Sequence, residues 1–109
     1  MIKVSIVRDK EGFIREFTVE GHAGYARHGK DIVCAAVTAI VFTALGALEE
    51  MAGIDTCTDN EGYIKCSVPS GLGDSERQTV KIILDTMVIG LRQIKLSYKK
   101  FISILDEEV

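Results

Sequence analysis

The sequence predicts an α+β fold, a two-layer sandwich with two main helices on one face of a mostly antiparallel sheet. Two observations lead to this class. Paired segments with apolar residues at every second position predict β-hairpins, and two longer segments with apolar residues three and four apart predict helices. In order they give strand, strand, helix, strand, strand, helix, strand. Because 109 residues is the length of one domain, we expect a single domain over residues 1–109.

The first hairpin is predicted on either side of a polar turn. Apolar and polar residues alternate in the segments 2–7 and 13–20, which is the pattern of strands with one buried face. The turn between them, residues 8–12, ends in Gly12, a residue type that readily adopts the positive φ of a tight turn. The two strands are therefore expected to pair antiparallel.

The first helix is predicted between Asp31 and Gly53. Asp is a preferred N-cap residue and Gly a preferred C-cap residue, and the first charges after Asp31 are Glu49 and Glu50. The segment is apolar on most of its circumference, so we expect it to be central to the fold. Its many alanines and Gly46 make it fall short of a predicted membrane span.

A second hairpin is predicted over residues 55–68, with its turn at 59–62 and Pro69 just beyond its end. Cys57 and Cys66 flank this hairpin, where they would face each other. The chain has three cysteines and no Cys-x-x-Cys pair, so we expect no disulfide framework and no zinc knuckle. Both residues are interpreted as reduced thiols in a reducing compartment.

The second helix carries the most regular apolar pattern of the chain. A Ser-x-x-Gln capping box at 75–78 predicts its start. One stripe of apolar residues runs along it, at Val80, Leu84, Met87, Leu91, Ile94 and Tyr98. A second apolar row lies at Ile82, Ile89 and Leu96. One sheet does not need that much apolar surface, so we expect a homodimer. Residues 101–105 predict the last short strand.

Composition and charge argue against several function classes. A hydrophobic fraction of 47% and a mean hydropathy of +0.18 are typical of a globular chain and not of a disordered one. A net charge of −3 provides no basic face for a phosphate backbone, so no nucleic-acid partner is expected. The first residues alternate and reach a charge at Lys3, unlike a signal peptide. We therefore expect a cytoplasmic protein without a membrane partner.

Cys34 and His22 are the residues best placed to carry chemistry. If Asp31 caps the first helix, Cys34 is the third helical residue, where unpaired N–H groups and the helix dipole favour a thiolate, the nucleophilic form of cysteine. His22 follows the second strand, and glycines at 21, 24 and 29 allow the loop to fold back so that His22 acts as general acid and base. Lys30 is a nearby cation. Amides of the helix start, including that of Cys34, are candidate oxyanion donors.

Structural roles for the same residues remain open at this point. Cys34 precedes small apolar residues and fits a buried core position, and His22 fits a loop histidine bonded to backbone. His28 is interpreted as a solvated loop residue. A metal site built from His22, His28 and Cys34 matches no standard ligand spacing, so no metal is expected.

Two segments, GHAGYARHGKDIVCAAVTAI from Gly21 and ERQTVKIILDTMVIGLRQI from Glu76, resemble the Prp family of ribosomal-processing cysteine proteases. The resemblance covers nearly the whole chain. It implies an α/β homodimer, a flexible glycine-rich loop over the active site, and His22 and Cys34 as the catalytic dyad. It also implies substrate-binding roles for Gly21, Gly24, Tyr25, Asp31 and Thr38. Thr38 stands where members often have Ser, and His28 where an aromatic residue is common.

The resemblance also implies the reaction. Members of the family remove the N-terminal extension of large-subunit ribosomal protein twenty-seven, cleaving after an apolar motif similar to Phe-Phe. We therefore expect a cysteine endopeptidase, one cysteine protease domain over residues 1–109, whose partner is a ribosomal protein with a leader peptide. No metal or organic cofactor is implied. The alternative is a non-catalytic ribosome-assembly or ribosome-associated binding protein in which Cys34 is structural.

Overall fold

The computed structural model describes residues 1–27 and 31–108, and it confirms the predicted class and element order. The strands are β1 (Ile2–Arg8), β2 (Ile14–Glu20), β3 (Cys57–Asn60), β4 (Tyr63–Ser67) and β5 (Ile102–Glu108). The helices are α1 (Ile32–Ala52) and α2 (Asp74–Ser97). The five strands form one sheet in the order β3-β4-β2-β1-β5. Three neighbouring pairs are antiparallel and β1 runs parallel to β5, so the sheet is mixed.

One face of the sheet carries the hydrophobic core. The registers place Val4 opposite Val19 and Ile6 opposite Phe17, and alternation then sends these side chains to the same side. Buried residues of both helices belong to the same core cluster as these strand residues, among them Val33, Val37, Val41, Leu48, Val80, Leu84, Met87 and Leu91. The predicted stripe of α2 is therefore confirmed as its core-facing side.

The predicted caps of α1 are confirmed. Asp31 has an extended backbone, and its carboxylate accepts hydrogen bonds from the N–H groups of Val33 and Cys34. At the other end Gly53 has φ 65°, the left-handed conformation that glycine adopts at low cost. By length and hydropathy α1 could cross a membrane, but the core helix of a soluble protein meets the same criteria. Here one side of α1 is buried within the protein core.

The predicted start of α2 is wrong, because the Ser-x-x-Gln capping box does not form. The helix begins at Asp74, and its N-cap residue Gly73 makes no side-chain cap bond. The Ser75 carbonyl instead accepts a hydrogen bond from the hydroxyl of Thr79 within the helix. Asp74 and Glu76 put negative charge in the first turn, where the helix dipole favours it. The start is thus stabilised by charge and not by a capping box.

The prediction that Cys57 and Cys66 are reduced thiols is also wrong. The register of β3 and β4 sets the two residues directly opposite each other, and a disulfide joins them. Cys34 is the free cysteine in the part of the chain that the structure describes. The sequence predicted that the two sulfur atoms face each other, but neither composition nor spacing decides whether such a pair is oxidised.

Replacing a core side chain of α2 tests the packing of the two layers. Leu84 is fully buried, so Leu84→Ala is expected to lower the free energy of unfolding by about 2–5 kcal/mol. Met51 is 67% exposed, and Met51→Ala should change it by no more than about 0.5 kcal/mol. Urea unfolding measures both values. A loss of similar size in the two variants would contradict the assignment of Leu84 to the core.

Candidate active site

The predicted functional residues meet in one cleft between the layers, with a volume of about 780 Å³. It is formed by the end of β2 with the residues that follow, the first three turns of α1, the β3–β4 turn with the adjoining strand residues, and Ile2 of β1. Its lining includes Gly21, His22, Gly24, Asp31, Cys34, Thr38, Phe42, Asp59, Gly62, Tyr63 and Ile64. His22 and Cys34 therefore open onto the same space.

The thiol of Cys34 is held by the backbone of the segment that carries His22. Cys34 is the third residue of α1, as predicted, and its side chain is half-buried. The N–H of Ala23 donates a hydrogen bond to Cys34 Sγ at 3.1 Å. Ala23 is only 4% exposed, and the contact as a whole is part-buried. Because Ala23 follows His22 directly, the bond fixes the thiol beside the histidine's own backbone.

His22 is exposed. Two glycines determine where it lies: Gly21, which precedes it in the chain, and Gly62 in the β3–β4 turn. The N–H of Gly21 donates to the carbonyl of Gly62 at 3.0 Å, which joins the end of β2 to the β3–β4 turn. Gly21 has φ 89°, and a Cβ there would lie 2.6 Å from the Met1 carbonyl oxygen, so only glycine fits. A Cβ at Gly62 would lie 3.7 Å from His22 Nε2. The imidazole therefore sits beside the β3–β4 turn at the cleft wall.

Asp31 joins the helix start to the loop. Its Oδ1 accepts the N–H groups of Val33 and Cys34 at 3.0 Å each. Its Oδ2 accepts those of Tyr25 at 3.0 Å and Ala26 at 3.5 Å. Desolvation alone would raise the pKa of this carboxyl, but the backbone donors, with Cys34 first, outweigh it and lower the pKa below 3.8. The group is thus a carboxylate at neutral pH.

These bonds correct one expectation about the helix start. The N–H of Cys34 was a candidate oxyanion donor, but it is already bonded to Asp31. The N–H of Ala35 is bonded to the Asp31 carbonyl as the first helical hydrogen bond. The Ala23 N–H, in contrast, is the backbone donor that the structure places at Sγ, where the new bond would form.

Most of the predicted substrate-binding residues lie in the cleft, and one does not. Gly21, Gly24, Asp31 and Thr38 line it. Tyr25 is not part of the lining, because its ring packs against Tyr98 and Phe101 on the outer side of the loop. The predictions for His28, Gly29 and Lys30 fall outside the described residues.

The cleft also contains residues that the sequence reasoning missed. Phe42 follows Cys34 and Thr38 at steps of four, so helical spacing alone could have placed all three on one side of α1. Tyr63 and Ile64 come from β4, and no local pattern indicates that this strand borders the end of β2. Phe42 on α1 and Tyr63 and Ile64 on β4 thus give the cleft an apolar lining.

Comparisons with known proteins show which family the sequence matches. A family model described as Cysteine protease Prp matches residues 1–103. The ribosomal processing cysteine protease Prp of Bacillus subtilis is 36% identical over 102 residues, 91% of each chain. The protein of the same name from Mycoplasma pneumoniae is 35% identical over 109 residues, 98% of this chain and 96% of that one.

The fold matches as well. The crystal structure of the essential ribosomal processing protease Prp from S. aureus, in complex with a covalently linked product peptide, superposes with a TM-score of 0.82 at 26% identity. The match covers 98% of this chain and 100% of that one. On the sequence match across nearly its whole length and on the shared fold, the chain belongs to the Prp family of cysteine proteases.

Proposed function

We propose that Cys34 is the nucleophile and His22 the general acid and base of this cysteine protease, and that residues 1–109 act as one catalytic domain. The observation that carries the proposal is the shared cleft, in which the Ala23 N–H bond holds Cys34 Sγ against the segment bearing His22. The substrate we propose is the N-terminal extension of large-subunit ribosomal protein twenty-seven. The covalently linked peptide in the S. aureus relative supports a cleft of this kind as a peptide site.

The proposed reaction follows the chemistry of a thiolate and an imidazolium. Cys34 Sγ attacks the scissile carbonyl carbon and forms a carbon–sulfur bond, and the carbonyl π electrons move to the oxygen. As the carbon–nitrogen bond breaks, His22 gives its proton to the leaving amine and a thioester remains. His22 then takes a proton from water, the hydroxide attacks the thioester, and the carbon–sulfur bond breaks to release the acid and the thiolate.

The backbone donor for the oxyanion in this proposal is the N–H of Ala23. It lies 3.1 Å from Cys34 Sγ in the free enzyme. Once the sulfur has bonded to carbon it is a weaker acceptor, and the tetrahedral oxygen forms next to it. The same N–H can then donate to that oxygen with little movement, which is the preorganisation that stabilises such intermediates.

The apolar lining of the cleft fits an apolar leader sequence. Phe42, Tyr63 and Ile64 line the same cleft as Cys34. Gly21 and Gly24 carry no side chain that would keep an extended peptide away, and Thr38 presents a hydroxyl for its backbone. We propose that the residues before the scissile bond lie against these apolar side chains.

We propose that the reaction takes place in the cytoplasm, where ribosomal proteins are made. Thiol reductants there keep most cysteine pairs reduced, so the Cys57–Cys66 bond is not required in this proposal. Backbone pairing also joins the strands β3 and β4, with Cys57 opposite Cys66.

Incubation with the extended ribosomal protein, analysed by mass spectrometry, tests the function. The wild type should release the leader peptide, and Cys34→Ala should lower the rate by about 10³-fold or more because it has no nucleophile. The control is Cys57→Ala combined with Cys66→Ala, which removes the other two cysteine sulfur atoms, neither of which lines the cleft, and should still cleave. Binding of the uncut protein without release by the wild type would support the ribosome-associated binding role instead.

The acid dependence of stability tests the role of Asp31. Because folding lowers the pKa of this carboxyl, its stabilisation is fully present above the ordinary value of 3.8 and is lost as pH falls through the lowered value. Asp31→Asn keeps a cap acceptor but loses the second carboxylate oxygen. The Tm of wild type should exceed that of the variant at about pH 7, and the gap should narrow as the pH falls below 3.8. A gap that stays constant over this range would contradict the role.

We further propose a homodimer. The second apolar row of α2 is exposed, with Ile82 at 57%, Ile89 at 55% and Leu96 at 84%. Ile89 and Leu96 border a shallow groove with Ile104, rimmed by Arg92 and Lys95. A two-fold axis passing near the row would cover the same residues on both copies.

Light scattering at micromolar concentration decides this point. The expected mass is twice that of the 11.9 kDa chain. Ile89→Asp places a charge at the centre of the row and should shift the protein towards a single chain, because an unpaired buried charge is costly. A wild type that scatters as one chain rules out the dimer.

A further inference from the structure

We propose that Tyr98 and Phe101 are positioning residues for the Cys34 site and that they act through Tyr25. The inference rests on the proposed cysteine chemistry and deepens it by naming the support of the segment that carries His22. The Tyr25 ring lies edge-on to Tyr98, with centroids 5.6 Å apart and planes at 89°. It lies edge-on to Phe101 as well, at 5.2 Å and 77°. These are favourable geometries for aromatic pairs.

The two supporting rings are mounted on rigid backbone. Tyr98 caps α2, and its N–H donates to the Ile94 carbonyl at 2.9 Å. The N–H of Phe101 donates to the Tyr98 carbonyl at 2.9 Å and closes the turn between them. The Phe101 carbonyl accepts the N–H of Ile2 at 2.9 Å, which ties the turn to β1. Both side chains also pack against the hydrophobic core.

Tyr25, in contrast, belongs to an irregular segment. It is 43% exposed and lies two residues after Ala23, whose N–H holds Cys34 Sγ. Its own N–H donates to Asp31. Ordering such a segment costs backbone entropy, and the ring contacts with Tyr98 and Phe101 offset that cost. None of the three rings belongs to the lining of the cleft.

The effect on the reaction is therefore one of placement. If the ring contacts are lost, the segment from His22 to Tyr25 gains conformational freedom, and the Ala23 N–H is hydrogen-bonded to Sγ for a smaller fraction of the time. Small errors in the position of a reacting group lower the rate of the chemical step. The variants should thus change kcat more than KM, because substrate contacts in the cleft are untouched.

The test uses ring removal with matched controls in the full chain. Tyr98→Leu, Phe101→Leu and Tyr25→Leu each remove one ring, and Tyr98→Phe keeps the ring and removes only the hydroxyl. Phe13→Leu is the control for general destabilisation. It removes a buried ring at the opposite end of β2, one that packs under Arg77. The readouts are amide hydrogen exchange of Ala23 by NMR and kcat and KM with a leader peptide, all measured well below Tm.

Tyr25, Tyr98 and Phe101 form the ring cluster. In each of its three Leu variants we expect the Ala23 amide to exchange about twofold to tenfold faster and kcat to fall by a similar factor, which corresponds to the interaction energy of one aromatic pair. Combining Tyr25→Leu with Tyr98→Leu should add little to Tyr25→Leu alone. Tyr98→Phe should restore the exchange rate towards that of the wild type. Phe13→Leu should lower Tm and leave the Ala23 exchange rate unchanged.

Two results would overturn the proposal: unchanged Ala23 exchange in the cluster variants, or an equal increase in Phe13→Leu. Should Tyr98→Leu fail to fold, Tyr25→Leu on the exposed segment decides by the same readout. If the wild type does not cut the leader peptide, the proposed function fails, and the exchange measurements still decide whether the ring cluster positions the segment.

Discussion

The carboxylate of Asp31 accepts backbone hydrogen bonds from two directions, and the geometry of the site depends on both. One oxygen takes the N–H groups of Val33 and Cys34 at the start of α1, and the other takes those of Tyr25 and Ala26 in the loop. A charged acceptor serves all of these donors and also faces the positive end of the helix dipole. The loop can therefore return to the helix start closely enough for Ala23 to reach Cys34 Sγ.

The order of the strands provides the other wall of the cleft. Because β4 pairs with β2, the turn between β3 and β4 lies beside the end of β2. The bond from Gly21 to Gly62 joins them there, and it brings Tyr63 and Ile64 to the cleft. Hydrogen bonds at two places, a local set at Asp31 and a long-range bond at Gly62, thus hold the segment with His22 between the sheet and the helix.

What the sequence predicts well is local. The caps Asp31 and Gly53 follow from the chemistry of single residues next to an apolar segment, and the position of Cys34 within the first turn follows from the cap. What it misses depends on register and competition. Composition does not decide whether Cys57 and Cys66, once opposite each other, are oxidised, and capping chemistry alone does not show that Ser75 lies one residue inside its helix. From the sequence, the backbone N–H of Cys34 is expected to be free for an oxyanion. In the structure the cap residue Asp31 accepts its hydrogen bond.

The thiol and the carboxylate that positions its surroundings lie three residues apart in a single helical turn. An α-helix rotates by about 100° per residue, so one residue added between Asp31 and Cys34 would swing Sγ around the axis of α1 and away from Ala23. The number of residues in this turn is therefore constrained. The identity of exposed Ile32 within it is less so. During divergence, the turn can accept substitutions at such positions but no change in length.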